Sequence, residues 1–232
     1  MAMTGLAAVR ARVEAACADA GRDPSGVRLL AVSKTHPLPL LVEAVSEGCT
    51  ELAESRVQEV VQKATGWPDA TDLPMPTWVL IGHLQRNKVR DVVSHVEEFQ
   101  ALDSLDLAAA LDRRLQAAGR DLRVLVQVNS SGEESKFGLA PDEVMQFCRS
   151  LQPFSSLRVD GLMTIAARSD DPREVVACFE TMRTLQSQLR DEGVLGGAWD
   201  ELSMGMSGDL EQAIAHGATT VRVGTAIFGA RG

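Results

Sequence analysis

Arg28-Leu-Leu-Ala-Val-Ser-Lys34-Thr-His-Pro37 is an apolar run of strand length that ends on one lysine and turns at once to a proline. Pro37 cannot extend a hydrogen-bonded ladder and suits the first turn of a helix. The stretch therefore reads as a buried strand, a short loop and the start of a helix over Leu38–Glu47. Strand alternation puts Leu30, Val32 and Lys34 on one face.

The same unit recurs along the chain. Further strand patterns cover Thr50–Ser55, Trp78–Gly82, Glu98–Asp103, Arg123–Asn129, Arg158–Ile165, Glu201–Ser207 and Thr220–Phe228. Between them, apolar residues at three- and four-residue steps predict helices over Arg56–Ala64, Asn87–Val93, Leu105–Ala118, Pro141–Leu151, Pro172–Glu192 and Asp209–His216. Asp103 or Ser104 can cap the helix that begins at Leu105, and Asp171-Pro172 supplies a cap followed by proline. Strand–helix alternation repeated eight times implies a parallel sheet. In 232 residues it suits an α/β fold of the compact (β/α)8 TIM-barrel type, preceded by an extra helix from Met1 to Ala20. An open doubly wound sheet is the alternative, but no G-x-G-x-x-G follows any strand. The Pro-rich patch Trp67–Pro76 reads as one exposed loop, so residues 1–232 read as a single domain.

Composition narrows the function. With 45% hydrophobic and 24% charged residues the chain has an ordinary globular make-up. A net charge of -9 argues against a general nucleic-acid surface, which needs an excess of Lys and Arg. An acidic chain can still hold one anion in a local site built from backbone N–H groups. There is no run of 18 apolar residues and hence no expected membrane span. Arginines and a glutamate interrupt the N-terminal segment, so it is not a signal peptide and a cytoplasmic location is expected. Cys17, Cys49, Cys148 and Cys178 are widely spaced, as reduced buried thiols would be. His36, His83, His95 and His216 form no metal-binding pattern, so no metal site is expected. There is no tyrosine.

In such a barrel, chemistry lies at the C-terminal ends of the strands. Lys34 stands at the first of them. Desolvation at an apolar rim lowers an amine's pKa, and a partly neutral lysine can form a Schiff base with an aldehyde. The plainer reading is a strand-end lysine that snorkels to water. At the last two strand ends, Ser207-Gly208 opens a helix, and Gly224-Thr225 offers close backbone approach and a second hydroxyl. Loops after strands seven and eight often bind phosphate, although Ser207 could simply cap a helix and Gly224 make a bend. Alternation sets Arg222 and Gly224 on one face, with Val221 and Val223 on the other. A guanidinium facing the interior needs a partner: a carboxylate such as Glu201, or a ligand acceptor such as a pyridine nitrogen. A reactive lysine, a phosphate cradle and an arginine across one barrel mouth suggest pyridoxal 5'-phosphate. Lys136 lies in a glycine-bounded polar loop at the same end, as a solvated lysine or a secondary contact for the aldehyde or phosphate.

Longer motifs carry a family resemblance. They are Leu30-Ala-Val-Ser-Lys34, Ile81-Gly-His-Leu-Gln85 with Asn87-Lys88, and Val124-Leu-Val-Gln-Val-Asn129. They continue with Ser131-Gly-Glu-Glu-Ser-Lys-Phe-Gly138, Gly161-Leu-Met-Thr-Ile165, Leu202-Ser-Met-Gly-Met-Ser207 and Val221-Arg-Val-Gly-Thr-Ala-Ile-Phe-Gly229. With these the chain resembles the pyridoxal phosphate homeostasis protein family over nearly its whole length. The resemblance implies a barrel like the N-terminal domain of alanine racemase, with pyridoxal phosphate held on Lys34 as an internal aldimine. It puts Arg222 near the ring nitrogen, Ser207, Gly224 and Thr225 on the phosphate, and Met204 close to the cofactor. Ser55 stands where the family carries an asparagine near the cofactor, and Arg86 where a small polar residue is common.

The implied role is to buffer, carry or deliver the cofactor, with apo pyridoxal-phosphate enzymes as transient recipients. Resemblance to the barrel racemases implies two bases, the lysine and a tyrosine from another domain and subunit. This chain offers no tyrosine and no room for that domain, so a monomer without robust catalysis is expected, a weak racemase or other Schiff-base enzyme being the alternative. Arg222 points the same way, because it can only donate to the ring nitrogen and so weakens the ring as an electron sink.

Overall fold

The computed structural model describes residues 5–197 and 199–229. The strands are β1 Arg28–Val32, β2 Glu51–Glu54, β3 Thr77–Leu80, β4 Glu98–Leu102, β5 Leu122–Val128, β6 Leu157–Thr164, β7 Glu201–Ser203 and β8 Thr220–Val223. They pair in parallel in chain order, and β8 returns to β1, closing the barrel. Around it run α2 Leu38–Ser46, α3 Val57–Ala70, α4 Val89–His95, α5 Leu105–Ala118, α6 Val144–Ser150, α7 Pro172–Asp191, α8 Leu210–Ala215 and the short α9 Thr225–Phe228, with α1 Gly5–Asp19 ahead of them. The α/β barrel with an added N-terminal helix is the fold expected from the alternating pattern. Among the described residues no helix is long and apolar enough to cross a membrane.

Local chemistry explains most boundaries. Ser104 Oγ accepts from the Leu107 N–H, and Gly119 closes α5 in the left-handed region at φ 63°. Asp171 Oδ1 accepts from the Arg173 N–H at the start of α7. α1 buries Leu6, Val9, Val13, Ala16 and Cys17, one stripe at helical spacing, and packs on α8 and α9. Met1 and the three residues after it lie outside the described residues.

Three strands end earlier than their apolar runs suggest. β1 stops at Val32, and Thr35 takes a positive φ of 68° in the turn that follows. β7 stops at Ser203, and Gly205 at φ 93° turns the chain. β8 gives way after Val223 to α9, so Gly224-to-Phe228 is a turn and a short helix instead of strand. One helix is longer than expected. α3 runs through Pro68 to Ala70, because Trp67 is buried edge-on against Trp78 with 6.4 Å between ring centres. The proposed loop from Trp67 therefore begins inside a helix, where aromatic burial outweighs one missing N–H.

The main core lies between the barrel wall and its helices. Inside the barrel, Leu30, Val32, Ala53 and Val79 form a separate small cluster with Ile81. The opposite side of the interior is polar, and it reaches the site described next. The wall itself needs glycine at one point. A Cβ on Gly161 would lie 2.0 Å from the backbone oxygen of Glu201, its register partner on β7. Gly161→Ala is expected to destabilise the protein by at least about 1–3 kcal/mol in urea unfolding. An unchanged midpoint would show that β6 and β7 can separate without cost.

Candidate functional site

A cavity of about 430 Å³ opens at the C-terminal ends of the strands, within the size range of small-molecule sites. Val32, Lys34 and His36 line it from β1 and the loop that follows. Ser55 contributes from the end of β2, and Ile81, Gly82 and His83 from the end of β3. Gln127 and Phe137 come from β5 and its loop, Ile165 from beyond β6, and Met206, Ser207 and Gly208 from the turn after β7. Arg222, Gly224 and Thr225 complete the wall.

Lys34 thus shares the inner face with Val32 although the strand has already ended. The loop that carries it is held on both sides. Before it, Ser33 N–H donates to Ala53 O at 2.9 Å, and Ser33 Oγ donates to Glu54 Oε1 at 2.6 Å. After it, Thr35 N–H donates to Glu59 Oε2 at 2.7 Å. Lys63 from α3 ties these together, donating to Ser33 O at 2.8 Å, Glu54 Oε1 at 2.6 Å and Glu59 Oε2 at 3.3 Å. A β-branched residue at positive φ, such as Thr35, costs roughly 1–3 kcal/mol and persists only where its surroundings hold it.

Arg222 is 4% exposed, and its partners are neutral. NH1 donates to Ser203 Oγ at 2.7 Å and NH2 to Thr164 O at 2.6 Å. Glu201, the carboxylate weighed as its partner, is engaged elsewhere. It accepts from Thr219 Oγ1 and Thr220 Oγ1 at 2.9 and 3.0 Å and lies 3.8 Å from Arg123. Arg222 is seated higher in the barrel, one alternation beyond Thr220, next to the cavity. Burial lowers its pKa to about 10, with Asp209 opposing, so the guanidinium keeps its proton at neutral pH.

From Arg222 a hydrogen-bonded relay crosses the interior. Ser203 Oγ donates to Gln100 Oε1 at 2.7 Å, and Gln100 Nε2 donates to Glu98 Oε1 at 2.6 Å. β7 and β4 are not neighbours, so this bond spans the barrel. Glu98 Oε2 then meets Arg28 at 2.8 Å and Arg123 at 3.3 Å, near the other end of the strands. Arg28 also pairs with Glu51, and Arg123 with Asp160.

The anion corner is arranged somewhat differently from the expectation. Ser207 and Gly208 lie in a turn, and α8 begins only at Leu210, with Asp209 as its N-cap. Asp209 Oδ1 accepts from the Met206 N–H and shapes that turn. Ser207 therefore faces the cavity without capping the helix. A Cβ on Gly224 would lie 2.9 Å from Val32 O, so glycine here lets the end of β8 close on β1. Met204 is fully buried in the outer core and is not among the residues that line the cavity, whereas Met206 is. Ser55 lines it directly. Lys136 is neither on the cavity wall nor simply solvated. Its amine bonds Glu133 and the carbonyl of Ala166, tying its loop to the end of β6. Arg86 pairs with Asp106 on the exposed surface.

Sequence reasoning assigned no part to several residues. His83 stacks on Phe137 with ring centres 4.3 Å apart, at the rim, where Phe137 is 57% exposed. Burial raises the Asp103 carboxyl, while His83 and the Gly138 N–H draw it down. The relay had a signal in Glu98-Phe-Gln100, two polar residues on one face of an otherwise apolar strand. Lys63 had one as well, set in the apolar stripe Val57, Val60, Ala64 and Trp67 of α3.

The sequence profile described as "Alanine racemase, N-terminal domain" matches residues 5–232. A "Pyridoxal phosphate homeostasis protein" of Pseudomonas aeruginosa is 41% identical over 226 residues, 97% of this chain and 94% of that protein. One of the same name from Escherichia coli is 38% identical over 97% of this chain and 95% of its own length. The chain belongs to the pyridoxal phosphate homeostasis protein family. Among solved structures, PipY of Synechococcus elongatus with PLP bound superposes with a TM-score of 0.82 at 35% identity, covering 94% of this chain and all (100%) of PipY. A structure described as "an unknown protein from Bifidobacterium adolescentis" gives a TM-score of 0.88 at 36% identity, covering 97% of this chain and 93% of that one. Alanine racemase of Clostridium difficile shares the fold at 14% identity and a TM-score of 0.74, this chain covering 56% of it.

The relay makes a measurable claim. Gln100→Leu leaves Glu98 Oε1 and Ser203 Oγ without their partner in a buried setting. A loss of roughly 1–3 kcal/mol is expected in urea unfolding, non-additive with Ser203→Ala. Additive losses would show that the two residues act independently.

Proposed function

We propose that this chain binds pyridoxal 5'-phosphate covalently and reversibly through Lys34 and acts as a cytoplasmic store and carrier of it. The reading rests on one convergence. A primary amine, two hydroxyls beside glycine backbone, and a buried guanidinium all line the same cavity. It is supported by kinship with proteins named for pyridoxal phosphate homeostasis and with PipY, which has been solved with PLP bound.

The residues fit the group. Pyridoxal phosphate supplies an aldehyde that condenses with a primary amine, an electron-withdrawing ring and a phosphate anchor. Lys34 offers the amine from the loop after β1. Ser207 and Thr225 offer hydroxyls to the phosphate, and Gly224 lines the same wall without a side chain. Ser55 offers one hydroxyl more from the β2 side. Arg222 holds a proton it does not give up near neutral pH, so it can only donate to a ring nitrogen. A carboxylate there would protonate the ring and strengthen it as an electron sink. Arg222 leaves it a weaker one, which favours holding the cofactor over turning over amino acids. Apo pyridoxal-phosphate enzymes are the recipients this role requires.

Borohydride treatment of the cofactor-loaded protein, followed by peptide mapping, is expected to put the adduct on Lys34. An adduct mainly on Lys88 or Lys136 would overturn the assignment. Ser207→Ala with Thr225→Ala removes two hydroxyls and keeps the backbone donors. Each lost charge-assisted bond should cost up to roughly 1.5–3 kcal/mol of affinity while the Lys34 bond still forms. Unaltered affinity would put the phosphate elsewhere. For the carrier role, loaded protein is mixed with an apo pyridoxal-phosphate enzyme and recovered activity is followed, with free cofactor as control. Recovery is expected. Rapid racemisation of an amino acid with no cofactor passed on would make the chain an enzyme.

A further inference from the structure

We infer that Glu54, Lys63 and Glu59 form a clamp, its first two members buried, whose task is to position Lys34 for bonding to an aldehyde. The inference rests on the proposed role of Lys34. It names three positioning residues on the outer side of the barrel wall, none of which lines the cavity.

Packing alone gives no reason for a lysine at position 63. The helix stripe on which it lies is otherwise Val57, Val60, Ala64 and Trp67, and an apolar residue would complete it. Buried ion pairs are commonly matched or surpassed in stability by apolar residues of similar volume. This cluster carries a further cost: Glu54 Oε2 is buried with no hydrogen-bond partner among the described residues. Its upkeep therefore calls for an account other than stability.

The contacts supply one. Lys63 has three N–H donors, and its three acceptors are Ser33 O, Glu54 Oε1 and Glu59 Oε2. Glu54 Oε1 takes the Ser33 hydroxyl and Glu59 Oε2 takes the Thr35 N–H. Every member thus grips a residue adjacent to Lys34 or the group that grips one. Thr35 is also the residue at φ 68°, a conformation that needs such restraint. Burial raises the Glu59 carboxyl, but the Thr35 N–H, Lys63 and the Glu54 side chain outweigh it and bring it below the ordinary carboxylate value. The clamp thereby fixes the backbone on both sides of Lys34 and limits where its Nζ can reach.

The experiment compares two ligands that share ring and phosphate. Pyridoxal 5'-phosphate has the aldehyde, and pyridoxine 5'-phosphate does not. For Lys63→Met and Glu59→Ala, affinity for the aldehyde is expected to fall about tenfold or more, with a matching loss of borohydride-trapped adduct at Lys34. Affinity for pyridoxine 5'-phosphate should stay within about twofold of wild type. Glu59→Ala removes only a partly exposed acceptor, so it decides the question if Lys63→Met does not fold. Equal losses for both ligands would reduce the cluster to general architecture, and no loss for either would show that the loop holds itself; each overturns the inference. If wild-type protein forms no adduct at Lys34, the binding proposal fails and this one with it. Trapping at Lys34 in wild type, undiminished in Glu59→Ala, overturns the clamp alone.

Discussion

Pairing of β1 with β8 is the contact on which the site depends. In that register Leu30 faces Arg222 and Ala31 faces Val223. Closure brings the first strand of the barrel against the last, so residues almost two hundred positions apart share one wall. Lys34 follows β1, and Gly224 and Thr225 follow β8, at the same rim. Gly224 also sets how closely the two strand ends approach, since Val32 O occupies the place of its absent side chain.

The barrel interior divides its labour. Apolar side chains from β1, β2 and β3 fill one side, as barrel cores usually are filled. The other side carries Arg222, Ser203, Gln100 and Glu98 in continuous hydrogen-bond contact. A buried guanidinium is costly unless its donors are met, and here a hydroxyl and a backbone carbonyl meet two of the five. At the far end Arg28 and Arg123 offset the charge of Glu98. Arg222 faces the cavity with Asp209 as the carboxylate whose charge acts on it, and among the described residues neither of its hydrogen bonds goes to a carboxylate.

Much of this was legible in the chain. Periodicity marked α5 to the residue, and alternation ordered Leu30, Val32 and Lys34 along one face and Arg222 with Gly224 along another. These properties are local. What stayed hidden depends on pairs distant in sequence. Nothing near Arg222 reveals that its partners are Ser203 and Thr164 instead of Glu201. Nothing near Lys34 reveals that a lysine on α3 holds its neighbours. The ends of β7 and β8 were misjudged because an apolar run continues past a glycine whose backbone leaves the strand. Met204 was expected at the cofactor, but the turn at Gly205 leaves it in the outer core and puts Met206 on the cavity.

The stack of His83 on Phe137 bridges the loops that follow β3 and β5, above the deeper residues of the cavity. β4 lies between β3 and β5 in the barrel, so the stack links two loops whose strands share no backbone ladder. Packed neighbours couple, so a change at either ring is felt at both loops.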